Sequence, residues 1–157
     1  MAQKFNLEPE YGDYVEYDGH TVKLCNEDGF MKKSWEATSG LPGSKLHDEG
    51  IKNYGPITTG GYMLDPQNIE SIDSDDPESQ LRFGRGDWGN NRVFLMTIPE
   101  SKTEQLNRGI DRGEFFFHGG KKPGSLGCID LGSEEEDFFN TIEQYKWKLK
   151  LEVSYGF

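Results

Sequence analysis

Phe115-Phe116-Phe117-His118-Gly119-Gly120-Lys121-Lys122-Pro123-Gly124-Ser125-Leu126-Gly127-Cys128-Ile129-Asp130-Leu131 reads as a strand, a tight loop and a returning strand. Three consecutive aromatics are typical of a buried strand. The histidine and two glycines that follow mark its end, so the imidazole is expected to emerge at a sheet edge. Lys121 to Ser125 is turn chemistry; Gly127 then permits a close backbone bend before Cys128, and Ile129 and Leu131 return to the interior. The loop carries a thiol back toward an imidazole.

Outward from this stretch the elements are short. Ser133-Glu134-Glu135-Glu136 has the form of a capping box and predicts a helix start, with Phe138, Phe139, Ile142 and Tyr145 on one side, facing the sheet. Trp147, Leu149, Leu151, Val153 and Tyr155 then alternate with polar residues, which predicts a final amphipathic strand. Upstream, Arg92 to Ile98 is apolar on both faces and reads as a strand inside the body. Pro99 ends it, and Ser101 to Asp111 reads as a polar connection of at most one helical turn.

Tyr62 to Leu64 reads as a further strand, and Leu81 to Phe83 as a short one. The acidic run from Asp65 to Gln80 lacks the spacing of a calcium loop and reads as solvated. Ser39 to Gly61 is a long Gly- and Pro-containing loop, of the kind that walls a groove. Thr21 to Cys25 and Phe30 to Ala37 form a predicted hairpin across Asn26 to Gly29, with one short strand at Tyr14 to Tyr17 before it. His20 and His47 lie in polar turns and are expected in solvent. Without a βαβ rhythm, and with one helix in the C-terminal half, the fold is expected to be mostly β. The form predicted is an antiparallel sandwich or barrel-like sheet built as one domain over 1–157.

Composition agrees with short strands and many turns: 157 residues include 20 glycines, 7 prolines and 13% aromatics. The formal net charge of -11 argues against nucleic acid or an anionic membrane surface as partner. An N-terminal basic, apolar and small-residue series of the export-signal kind is not seen, and no apolar run reaches spanning length, so Sec export and membrane insertion are disfavoured. Two cysteines, Cys25 and Cys128, make no disulfide framework, although they could pair in an oxidising compartment.

The pairing of Cys128 with His118 is what cysteine acyl transfer needs, since the thiolate is the nucleophile and a neighbouring base must take its proton. The backbone N–H groups of Gly127 and Cys128 would form an oxyanion hole. Against this stands the structural alternative, in which Cys128 is a small core residue and His118 a satisfied packing residue.

The stretch from His118-Gly119-Gly120 through Pro123-Gly124-Ser125-Leu126-Gly127-Cys128-Ile129-Asp130-Leu131 resembles the His to Ser-x-Gly-Cys motif of L,D-transpeptidase-like effectors delivered by type VI secretion. The likeness extends through Trp35-Glu36-Ala37-Thr38-Ser39-Gly40, Gly55-Pro56-Ile57, Gly61-Tyr62, Asp87-Trp88-Gly89 and Arg112. It implies an L,D-transpeptidase fold and an antibacterial toxin that acts on peptidoglycan stem peptides, with Cys128 as nucleophile and His118 as base. The backbone carbonyl of Gly119 would orient His118, and Ser125 would line the site.

The substrate-binding set expected beside this centre is Arg112, Gly120, Asp130, Tyr54 and Tyr62, with ordinary packing an equal alternative for the two tyrosines. Lys121 and Lys122 would add local positive charge. The wider superfamily carries a second His where this chain has Leu126, and Asn or Arg where it has Asp130. The resemblance therefore implies trimming or D-amino-acid exchange rather than cross-linking, with no metal or other cofactor. It also implies synthesis in the cytoplasm, action in a target bacterium's periplasm, and as partners a cognate immunity protein and secretion components. The alternatives are a cysteine amidase or endopeptidase on another wall bond, and a non-catalytic β-sandwich binding module.

Overall fold

The computed structural model describes residues 8–71, 90–120 and 127–156. Among these are ten strands: β1 Tyr14–Tyr17, β2 Thr21–Cys25, β3 Met31–Glu36, β4 Thr38–Ser39, β5 Gly60–Leu64, β6 Glu70–Ser71, β7 Asn91–Thr97, β8 Phe115–His118, β9 Ile129–Asp130 and β10 Leu149–Val153. Two α-helices accompany them, α1 Pro99–Asn107 and α2 Glu135–Ile142. The strand expected at Leu81 to Phe83, most of the acidic run, Asp87-Trp88-Gly89, Lys121, Lys122 and Ser125 lie outside the described residues.

The strands follow the order β3-β2-β1-β10-β5-β7-β8-β9-β4, with β6 beside β7. Only Ala37 separates β3 from β4, so the two ends of this path are consecutive pieces of chain and the sheet nearly closes into a barrel. The expected mostly-β, barrel-like architecture is found, but the sheet is mixed. β1 pairs β10 in parallel, and so does β8 with β9; the other ladders are antiparallel. The first parallel pair joins opposite ends of the described chain, which no local pattern encodes.

Alternation explains the core. Val15, Val22, Leu24, Leu64, Val93, Leu95, Phe117 and Leu151 point inward, each no more than 1% exposed. The predicted stripe of α2 closes this interior: the Phe138 ring lies 5.0 Å from Trp35 and 4.7 Å from Phe117. The predicted hairpin is β2–β3, and its turn is held by Asn26, whose side-chain oxygen accepts from the N–H groups of Asp28 and Phe30.

Four expectations change. β7 is apolar on both faces but only one is covered: Val93 and Leu95 are buried while Phe94 and Met96 are 46% and 49% exposed. The polar connection after Pro99 is a full helix, opened by that proline and tethered through buried Gln105, whose Nε2 donates to the Thr59 carbonyl and Tyr62 hydroxyl. The Ser133 capping box does not form. Gly132–Glu134 is a 3₁₀ turn leading into α2 without a side-chain cap, and the acidic residues bind other elements instead: Glu134 accepts from Glu36 N, and Asp137 accepts from Trp35 Nε1 at 2.6 Å. Finally, His118 does not emerge at an edge, because β9 and the Leu131 N–H to His118 carbonyl bond (2.7 Å) cover it, leaving it 4% exposed.

Candidate active site

The parallel β8–β9 ladder sets Phe117 opposite Ile129 and His118 opposite Asp130. Phe117 and Ile129 are both wholly buried in the core, so the residues on either side of them in the chain face the other way. Phe116 and His118 on β8 therefore share a face with Cys128 and Asp130, Cys128 lying one step back beside Phe116. On the adjacent β7, Arg92 pairs His118 and Phe94 pairs Phe116, which extends the same two rows. The thiol and imidazole that lie ten residues apart in sequence thus come to one ladder, Cys128 immediately before β9 and His118 at the end of β8.

His118 Nδ1 lies 2.6 Å from the Gly119 carbonyl oxygen. A carbonyl only accepts, so Nδ1 carries a proton, and in the neutral imidazole the lone pair is then on Nε2. This is the tautomer a base needs. Gly119 is buried beneath Glu135: a Cβ at position 119 would stand 1.5 Å from Glu135 Oε2. Gly127 has a φ of +110°, and a Cβ there would meet Arg112 Nη2 at 2.5 Å and Phe115 Cε1 at 2.8 Å. Only glycine fits that corner, which aims the chain into Cys128.

Ser39, quoted above only as part of the upstream likeness, holds this corner from the other side. Its hydroxyl donates to the Gly127 carbonyl at 3.1 Å and accepts from the Ile57 N–H at 2.8 Å. The Gly127–Cys128 peptide is thereby fixed to the loop before β5.

Arg112 is buried and committed to that loop. Its guanidinium donates to the carbonyls of Glu49 (2.5 Å), Pro56 (2.7 Å) and Gly55 (3.1 Å). Burial holds its pKa below the ordinary arginine value, opposed by Tyr62, Tyr155 and Cys128. Among the expected substrate-binding residues, Arg112 and Asp130 are therefore at the site, Asp130 with one oxygen accepting from the Gly132 N–H at 2.8 Å, and Gly120 directly follows the His118–Gly119 turn. Tyr62 is not: it is wholly buried and donates to the Thr58 carbonyl at 2.6 Å, which is the packing alternative. Tyr54 is half-buried in the loop that Arg112 gathers, its carbonyl accepting from Leu41 N.

Gly55 tests this clamp. A Cβ there would come within 1.8 Å of the Asp48 carbonyl oxygen, which is backbone and cannot swing aside. Gly55→Ala is expected to lower stability by about 1–3 kcal/mol, read as a lower urea midpoint with an unchanged m-value.

Cys128 is 6% exposed and Cys25 is also buried; no disulfide joins the two. Burial pushes the Cys128 pKa up to about 11, aided by Asp130 and opposed by a backbone hydrogen bond with Phe116 and by the charges of Arg112 and Arg92. The resting thiol is protonated near neutral pH.

The sequence matches no family model, and no curated protein matches it. Solved structures do match in fold. Bd1075 of Bdellovibrio bacteriovorus aligns with a TM-score of 0.58 at 12% identity, over 91% of this chain and 48% of that one. The L,D-transpeptidase of Xylanimonas cellulosilytica aligns at 0.50 and 14% identity, over 90% of this chain and 60% of that one. The chain spans about half to three-fifths of the length of these structures, and the likeness shows a shared L,D-transpeptidase-type fold.

Proposed function

We propose that this chain is a cysteine L,D-carboxypeptidase and exchange enzyme acting on the tetrapeptide stems of peptidoglycan. The observation that supports the reading is the β8–β9 ladder, with Cys128 immediately before β9 and His118 at the end of β8, together with the 2.6 Å contact of His118 Nδ1 with the Gly119 carbonyl. The fold kinship with L,D-transpeptidases supports the substrate class. The sequence resemblance to type VI effectors supports delivery into a target periplasm and a cognate immunity protein.

In this mechanism His118 Nε2 takes the Cys128 proton as Sγ attacks the carbonyl at the L-centre of the third residue, diaminopimelate. The N–H groups of Gly127 and Cys128 receive the developing oxyanion. The bond to the terminal D-alanine breaks, the leaving amine takes the proton from His118, and an acyl-thioester remains. Water resolves it to a tripeptide; a D-amino acid amine resolves it to an exchanged tetrapeptide.

The test is mass spectrometry of tetrapeptide muropeptides incubated with the reduced protein, with and without an added D-amino acid. Loss or replacement of D-alanine is expected, and its absence with Cys128→Ala. Unchanged muropeptides with folded wild-type protein would overturn the proposal. One observation favours a second reading, a binding module with a structural cysteine: the thiol is buried and its pKa raised. That reading predicts muropeptide retention without any mass change.

A further inference from the structure

Glu135 is a buried carboxylate that no step of this chemistry uses, 8% exposed at the first turn of α2. Two contacts define it. Oε1 accepts from the Asn90 N–H at 2.7 Å and the Asn91 side-chain amide at 3.4 Å, which ties α2 to the start of β7. Oε2 occupies the space a side chain at position 119 would fill, so the carboxylate lies directly against the Gly119 backbone at the end of β8. The Gly119 carbonyl is in turn the group facing His118 Nδ1.

We infer that Glu135 is a positioning residue for the base: its carboxylate sets the orientation of the Gly119 peptide, and through it the tautomer of His118. This rests on reading His118 as the base. The physical case is economy of contact. A peptide following a strand and flanked by glycines on both sides of the turn has few side-chain restraints, and Gly119-Gly120 carries none of its own. A catalytic hydrogen bond to such a peptide needs an outside support, and groups behind a histidine commonly fix which nitrogen keeps its proton. Glu135 supplies the support from a helix whose aromatic stripe is locked in the core by Phe138 and Phe139. Its own grip on Asn90 makes the carboxylate immobile. Position 119 must then be glycine for the contact to exist, which accounts for the first glycine after the histidine as a packing requirement.

The prediction separates geometry from charge. Glu135→Gln keeps the shape and an oxygen for Asn90 N–H, and is expected to retain wild-type behaviour. Glu135→Asp keeps the charge but withdraws it by one methylene, and Glu135→Ala removes it. Nitrogen-15 NMR of the imidazole in the free protein is expected to show neutral His118 in the Nδ1–H form for wild type and Glu135→Gln, and a shift toward Nε2–H for the Asp and Ala variants. Gly119→Ala, which drives a methyl into the carboxylate's place, gives the same shift if Glu135→Ala fails to fold. Turnover should fall by about tenfold or more in kcat, with KM within about twofold, in the variants that lose the tautomer. A folded Glu135→Ala, Glu135→Asp or Gly119→Ala with His118 unchanged would overturn the inference. The NMR comparison needs no substrate, so absence of turnover in the wild type would count against the proposed reaction alone.

Discussion

Lys32→Met is expected to destabilise the protein by about 3–5 kcal/mol, because it leaves a buried carboxylate without its cation. Lys32 is the residue skipped where the β2–β3 register shifts: Leu24 pairs Lys33 and Cys25 pairs Met31. That bulge turns the lysine inward, its side chain 1% exposed, onto the wholly buried side chain of Asp13 at 2.7 Å. Asp13 Oδ2 also accepts from the Tyr145 hydroxyl at 2.6 Å and the Glu10 N–H at 3.0 Å, while Oδ1 has no hydrogen-bond partner among the described residues. Lys32 further holds the Glu8 carbonyl at 2.8 Å and the Glu10 carboxylate at 3.2 Å.

Methionine would fill the volume and strand the charge. Lys32→Met/Asp13→Asn, which removes both charges, should recover part of the loss, since an amide is less costly to bury than a carboxylate. Urea unfolding measures both. A single variant within about 1 kcal/mol of wild type would show that water reaches the pair and screens it.

The same bulge marks where sequence and structure part. Local periodicity made β2, β3, β10 and the aromatic stripe of α2 legible, because each buries alternate or helically spaced residues against a neighbour already in place. The bulge has no such signature. Met31-Lys32-Lys33-Ser34 reads as a solvated strand edge until Asp13 and Tyr145, far away in sequence, are brought beneath it. The parallel β1–β10 ladder was hidden for the same reason. α1 was read as a connection because it has no apolar stripe, its one buried residue being a glutamine and Leu106 lying half-exposed. The exposed half of β7 misled in the opposite sense, since Phe94 and Met96 carry core chemistry on an outer face.

At the site, His118 and Cys128 were legible from glycines that punctuate a strand, loop and strand. Their supports were not. Ser39 was visible only as part of a resemblance, Glu135 was merely an inner residue of an expected capping box, and the backbone carbonyls that Arg112 gathers left no mark in the sequence. Each acts through a contact dozens of residues away in the chain.

Alkylation of Cys128 in the free protein is expected to be about a hundredfold slower near pH 8 than for an ordinary thiol. It should climb about tenfold per pH unit toward pH 10. The cause is burial, which pushes the thiol from 9.0 up to about 11 and outweighs the favourable charges of Arg112 and Arg92. A Cys25→Ser background makes the readout single, since the Cys25 thiol is also raised, by burial first.

The sign for stability follows. The fold favours the neutral thiol, so this contribution is intact below pH 9.0 and is lost as pH rises through about 11. The mechanistic consequence is larger. A preformed thiolate and imidazolium pair would label fast and reach a plateau in mildly acid solution; such a plateau would overturn the neutral resting state. On the proposed reaction, a neutral thiol instead defers proton transfer until substrate occupies the site, when the Gly127 and Cys128 N–H groups would gain an oxyanion to hold. kcat/KM for D-alanine release should then rise over the same pH range as the alkylation rate, because both report the thiol of the free enzyme.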